Sequence, residues 1–166
     1  MKKILSVVSL IMLSLVFSGI TYASQVTGTL QVSANVVSVC TVSTSPVNFG
    51  NVTGPATDTT GDVTVNCPAN TAYHIALDAG QHYVSTYRRI VSGSNSPYYA
   101  LLKTNNMADE WSDSGCGSGT YPYGACLDDT GNGSNQAHTV YAHMFAFGGI
   151  PAGTTLTDTV TVTVYY

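Results

Sequence analysis

The sequence predicts an all-β fold, and three observations carry that prediction. Only 8% of its 166 residues are charged, against about 25% in an ordinary soluble domain. Lys, Arg and Glu together number six, whereas Thr numbers 22 and Val 19; β-branched side chains lose rotamer freedom in a helix and pack well on a pleated surface. Apolar residues alternate with Thr, Ser and Asn in short runs bounded by Gly, Pro, Asn or Asp, the period-two pattern of half-buried strands. With 44% hydrophobic residues, the chain has enough apolar surface to fold rather than stay disordered, and its length is that of one domain.

The elements follow in order from the amino terminus. Lys2 and Lys3 precede an apolar stretch at 4–17, and Thr21-Tyr22-Ala23 precedes an expected cut ahead of Ser24. This is the layout of an export signal; the apolar stretch is shorter than the roughly 20 residues of a membrane anchor. Residues 1–23 are thus expected to be removed, leaving 24–166 as one exported domain with no later membrane span. Removal leaves Arg88, Arg89 and Lys103 against nine acids, a net charge of −6. Nucleic acid is excluded as a partner, because its phosphates require a basic footprint.

Residues 26–36 alternate, with Val26, Leu30, Val32, Ala34 and Val36 on one face and Thr27, Thr29, Gln31, Ser33 and Asn35 on the other. That pattern is a half-buried strand. Strand character continues through 37–42 and, after Ser45-Pro46, at 47–50. The Gly-, Pro- and Asp-rich stretch 50–62 reads as loop, followed by strands at 62–67, 71–78, 82–91 and 97–103. Residues 104–137 form a polar, Gly-rich irregular region; 138–147 resume a strand, 149–153 turn, and 156–166 close with Leu156, Val160, Val162, Val164 and Tyr166 on one face. Several short strands at this spacing indicate a sandwich.

Four cysteines follow the signal: Cys40, Cys67, Cys116 and Cys126. An even number in an exported chain argues for disulfides, with three connectivities open. Cys116 and Cys126 flank a Gly-, Ser- and Tyr-rich loop, which favours local closure and leaves Cys40 to join Cys67. No CxxC pair supports zinc, so no metal is expected.

The two ends bear on function. A final strand with nothing after it is expected, if it lies beside the core, to leave an open sheet edge, and such an edge recruits another chain. The leading segment 24–35 is long enough to be a spare strand. An open edge and a spare strand make a head-to-tail, non-closing contact, and donating a strand to a neighbour is an established recognition mode.

These residues also carry a family likeness. The pattern VTGTLQVSANVVSVCTVS, followed by VNFG at 47–50, VTVNC at 63–67 and DTVTVTVYY from Asp158, resembles the spore coat protein U domain, which also forms subunits of archaic, Csu-type chaperone-usher pili. One departure is Leu156, where many members carry an aromatic residue. The resemblance implies an incomplete immunoglobulin-like β-sandwich lacking its last strand. In that family a periplasmic chaperone fills the gap, and an outer-membrane usher exchanges it for the amino-terminal strand of the next subunit. The resemblance thus implies a surface-fibre subunit with identical or related subunits, a chaperone and an usher as partners. The implied donor side chains are Val26, Gly28, Leu30, Val32 and Ala34, and the implied acceptor groove includes Val160, Val162 and Val164. Cys40 and Cys67 match the family's disulfide. A non-fibrous spore or envelope coat protein and a secreted glycan-binding module are the alternatives.

Catalytic and cofactor readings find little footing. His138 and His143 are five apart, so on a strand they face opposite sides; neither a GxSxG elbow nor an HExxH helix occurs. Asp109, Glu110 and Asp113 read as a solvated loop rather than a hydrolase pair. Asp128, Thr130, Asn132 and Gly133 match the opening of a calcium loop, but Thr139 stands where a bidentate carboxylate belongs. Tyr98 and Tyr99 read as core. Trp111, Tyr121 and Tyr123 lie among Gly, Ser and Asp, where core packing competes with exposed contact to sugars or surfaces.

Overall fold

A computed structural model of the chain describes residues 23–37, 39–116, 119 and 121–166. The expected export signal lies outside the described residues except for Ala23. The chain divides into two units, Met1–Asn35 and Val36–Tyr166.

In the first unit, every described residue from 23 to 35 is exposed and none belongs to a strand. The half-buried strand expected at 26–36 is therefore not formed. The physical reason is that strand geometry needs a ladder partner and a covered face, and among the described residues no strand pairs with this segment.

The second unit holds eight described strands: β1 (Thr41–Ser45), β2 (Thr57–Asn66), β3 (Ala72–Leu77), β4 (Arg88–Arg89), β5 (Tyr98–Leu102), β6 (Leu127–Thr130), β7 (Gln136–Met144) and β8 (Val162–Tyr165). They form a five-stranded sheet in the order β1-β2-β7-β5-β4 and a three-stranded sheet in the order β6-β3-β8. All ladders are antiparallel. The inward faces meet in one core: Val63 and Val65 of β2, Tyr99 and Leu101 of β5 and Val140 and Ala142 of β7 pack with Tyr73, Ile75 and Leu77 of β3. These are alternate residues along each strand, as a two-sheet sandwich requires.

Five expectations are corrected, two of them being that 47–50 belong to no strand and that only Val162–Tyr165 of the closing segment do. Residues 57–62 are strand, because Thr57–Asp62 pair with Thr139–Met144 of β7; long-range pairing outweighs their local turn chemistry. Gly61 suits this strand because the chain returns close beside it: a Cβ there would lie 2.9 Å from Val47 Cγ2 and 3.1 Å from the Ser45 carbonyl. The segment 82–91 contributes only β4 and isolated bridges at Val84–Tyr87 and Val91–Thr157. The irregular region 104–137 contains β6 and the first residues of β7.

That region also supplies core. Trp111 and Tyr121 are fully buried, which decides their two competing readings for core packing, whereas Tyr123 is exposed. The Trp111 indole N–H donates to the Ile75 carbonyl at 2.8 Å, and the Arg88 guanidinium lies 4.2 Å over the Tyr121 ring. Arg88 is itself fully buried and donates to the carbonyls of Leu77, Asp78 and Trp111 at 2.7–3.0 Å. One buried cation thus joins β3, β4 and the 104–137 region. Tyr98, read as core, is exposed, while Tyr99 is buried.

The disulfides are Cys40–Cys67 and Cys116–Cys126. The first ties the residue before β1 to the residue after β2, an attachment worth about 3–4 kcal/mol for a loop of this length in the chain-entropy account.

Candidate functional site

Two edges define the site. β1 pairs with β2 alone, and β8 pairs with β3 alone, so each ends its own sheet. Between them lies a cavity of about 300 Å³. One wall is Thr44, Ser45 and Val47 beside β1; the other is Asp158, Val160 and Val162 leading into β8; Val63, Leu77, Leu101 and Val140 form the floor. Phe49 and Tyr99 also line it, with ring centroids 6.5 Å apart in an edge-on contact. The cavity thus opens into the core at the place where the sheets are joined by no strand among the described residues.

Of the residues expected in an acceptor groove, Val160 and Val162 line this cavity. Val164 packs against the core one step beyond it, opposite Ile75 in the β3–β8 ladder. The residues expected to donate are Val26, Gly28, Leu30, Val32 and Ala34, and all are exposed. Val26, Leu30 and Val32 keep 94%, 89% and 88% of their surface in solvent. Single exposed apolar residues are ordinary; an alternating apolar row with no covered face is not.

One wall residue is polar, and sequence reasoning passed over it. Asp158 has 3% of its side chain exposed. Its carboxylate accepts from the Tyr99 hydroxyl at 2.5 Å and the Gln81 N–H at 3.2 Å, and lies 2.8 Å from His82 Nδ1. Burial, together with this hydrogen bond to a carboxylate, drives the Tyr99 pKa well above its ordinary value. A signal was present in the sequence: Asp158 occupies the same alternate set as Leu156, Val160 and Val162, an acid on an otherwise apolar face.

The histidines are each engaged with an acid. His74, His82, His138 and His143 lie 2.7, 2.8, 3.5 and 2.6 Å from Asp128, Asp158, Asp129 and Asp58. His74, Asp128 and Cys126 come within ligand distance of one another, but Cys126 is in a disulfide and offers no thiolate. In the stretch 128–139, whose opening matches a calcium loop, Asn132 is committed locally: its side-chain carbonyl accepts from the Ser134 N–H, and its own N–H donates to Gln136.

The sequence profile of the Spore Coat Protein U domain matches residues 26–163. The chain belongs to the spore coat protein U domain family. No curated protein matches it. Among solved structures, it is similar to a chain of the CsuC–CsuE chaperone–tip adhesion subunit pre-assembly complex from archaic chaperone-usher Csu pili of Acinetobacter baumannii. The TM-score is 0.54 at 24% identity, covering 79% of this chain and 40% of that one. The chain thus spans two fifths of that neighbour's length, and the likeness is one of fold. The spore coat protein U domain described here is accordingly an all-β, immunoglobulin-like sandwich.

Proposed function

We propose that this chain is a structural subunit of a secreted surface fibre of the archaic chaperone-usher type, assembled by donor-strand exchange and serving adhesion and biofilm formation. On this reading it is exported, passes through the periplasm bound to a chaperone, is handed on at an outer-membrane usher, and ends at the cell surface joined to identical or related subunits. The observation that carries the reading is the pairing of an apolar cavity between two open sheet edges with an exposed, alternating, unpaired segment in the same sequence. Membership in the family and the fold shared with a chain of a chaperone–subunit complex support it.

Magnitudes agree with a partner-dependent assembly. Burying Val26, Leu30 and Val32 is worth roughly 5–9 kcal/mol, while ordering ten backbone residues costs about 10 kcal/mol. Side-chain burial alone therefore does not drive insertion. The remainder comes from ladder hydrogen bonds to both edges, each worth about 1 kcal/mol net, provided that the groove is already open. A chaperone occupying the groove meets that condition.

Cavity size supports Leu30 and Val32 as the central pair of the proposed donor set. A dry cavity of about 150 Å³ accommodates a benzene ring, so the present volume suits two aliphatic side chains. Leu30 and Val32 are adjacent on the donor face and are flanked there by the small residues Gly28 and Ala34. A variant with Leu30→Asp and Val32→Asp is expected to fold and leave the cytoplasm normally but form no fibres by electron microscopy. Fibres of ordinary length from that variant would overturn the donor assignment.

A further inference from the structure

The accepting edge is regular only in part. Ladder pairing of β8 with β3 covers Val162–Tyr165, yet Asp158, Thr159 and Val160, which wall the cavity, precede that ladder and belong to no strand. Their place is set by a few bonds. Thr157 exchanges two backbone bonds with Val91, and the carbonyls of Thr159 and Thr161 accept from the N–H groups of Gln81 and Asp78.

Carboxylates complete the attachment. The Thr161 N–H donates to the Asp78 side chain at 2.9 Å, which also accepts from the Gly80 N–H. Asp158 reaches across to Tyr99, Gln81 and His82, and so links the edge to β5 of the opposite sheet. Gly80 leaves room for this: with φ +77°, it would carry a Cβ only 2.4 Å from Asp158 Oδ2.

A short, irregular stretch with one free side has little to stop it rotating or sinking into an adjacent apolar cavity. A one-residue slip would turn Val160 outward and Thr159 or Thr161 inward, because side chains alternate. Asp158 shares the inward set with Val160, and its buried carboxylate has three partners there. Any rotation would strand a buried charge, which is costly.

We propose that Asp158 is a positioning residue for strand exchange: its carboxylate holds residues 157–161 extended, with Val160 turned into the groove, so that the edge keeps its register for the incoming strand as the chaperone gives it up. The inference rests on the strand-exchange reading above. Once a donor strand is seated, its own ladder bonds hold the same edge, and Asp158 becomes largely redundant. The role is therefore visible in the rate of uptake and not in the durability of the product.

The test uses the full mature subunit, bound to its chaperone and carrying Leu30→Asp and Val32→Asp so that its own leading segment does not compete, with a fluorescent peptide of residues 24–36 whose uptake and release are followed by anisotropy; this background is the wild-type reference. Asp158→Ala is expected to slow uptake at least tenfold, and Tyr99→Phe, which removes one of the three partners, several-fold. Gly80→Ala, which displaces the carboxylate without deleting it, is expected to resemble Asp158→Ala. Release from the seated complex is expected to change less than twofold in each. Uptake at the wild-type rate in Tyr99→Phe and Gly80→Ala would overturn the proposal, as would release accelerated by the same factor as uptake is slowed, the mark of a merely structural role. Should Asp158→Ala fail to fold, Tyr99→Phe decides. A wild-type subunit that takes up no peptide would instead sink the strand-exchange reading, and this inference with it.

Discussion

Leu30→Ala separates the stability of the subunit from that of the assembly. In the unassembled chain Leu30 is 89% exposed, so truncation there is expected to change the subunit's own stability by less than about 0.5 kcal/mol, as for most surface substitutions. In the proposed fibre the same side chain fills part of a cavity of about 300 Å³. Losing its transfer free energy and leaving part of that space empty costs about 2–3 kcal/mol, the lower part of the range for buried Leu→Ala changes. That is roughly 30- to 150-fold in the equilibrium between neighbouring subunits. The assay is depolymerisation of purified fibres in guanidinium, read on gels without boiling, beside thermal melting of the unassembled subunit. Gln31→Ala, on the opposite face of the segment, serves as the control. The expected result is a lower fibre midpoint for Leu30→Ala alone and equal subunit melting temperatures for all three proteins. An unchanged fibre midpoint, or a subunit destabilised as much as the fibre, would refute the reasoning.

Two further outcomes follow from the body of the domain. Arg88→Met removes a buried cation that satisfies three carbonyls and whose proton affinity burial already lowers; stranding those acceptors is expected to cost about 3–5 kcal/mol by chemical denaturation. Acid and alkali should each weaken the cluster of Tyr73, Asp129 and His138. Burial lowers the His138 pKa against the opposing pull of Asp129, so the folded state binds this proton less readily than the unfolded state. Stability is expected to fall as pH drops below about 6.5, the ordinary histidine value. Burial, with Asp129 adding to it, pushes the Tyr73 hydroxyl up to about 12, so this group is expected to lower stability between about pH 10 and 12, where it ionises only in the unfolded chain. Melting temperatures of wild type and His138→Gln across this range check both limbs; an acid limb that persists in the variant would reject the role given to His138.

Much of the fold was legible without coordinates because it is periodic or local. The alternation at 62–67, 71–78 and 97–103 reports strands that β2, β3 and β5 realise within a few residues. Cys116 and Cys126 are ten residues apart across a Gly-rich loop and are joined. At 156–166 the same periodicity sorted Val160 and Val162 onto the inward face, where they line the cavity. Alternation also marked 26–36 as apolar on one face, but it could not say that this face goes uncovered in the chain itself. A period records which side of a strand wants burial and says nothing about whether a partner is present.

What sequence alone determined, then, was the class of fold, the disulfide framework and an alternating leading segment, whose described residues to 35 are all exposed. Tertiary structure decided the rest. It drew 57–62 into β2 through pairing with β7, took Trp111 and Tyr121 out of a polar loop into the core beneath Arg88, and brought Asp158 against Tyr99, 59 residues away in the chain. Each of these outcomes depends on contacts between distant segments, whose free energy outweighs the weak local preference of a Thr, a Gly-rich loop or a lone acid. Local preference can be read from neighbouring letters, whereas a long-range contact exists only once the sheets have closed around it.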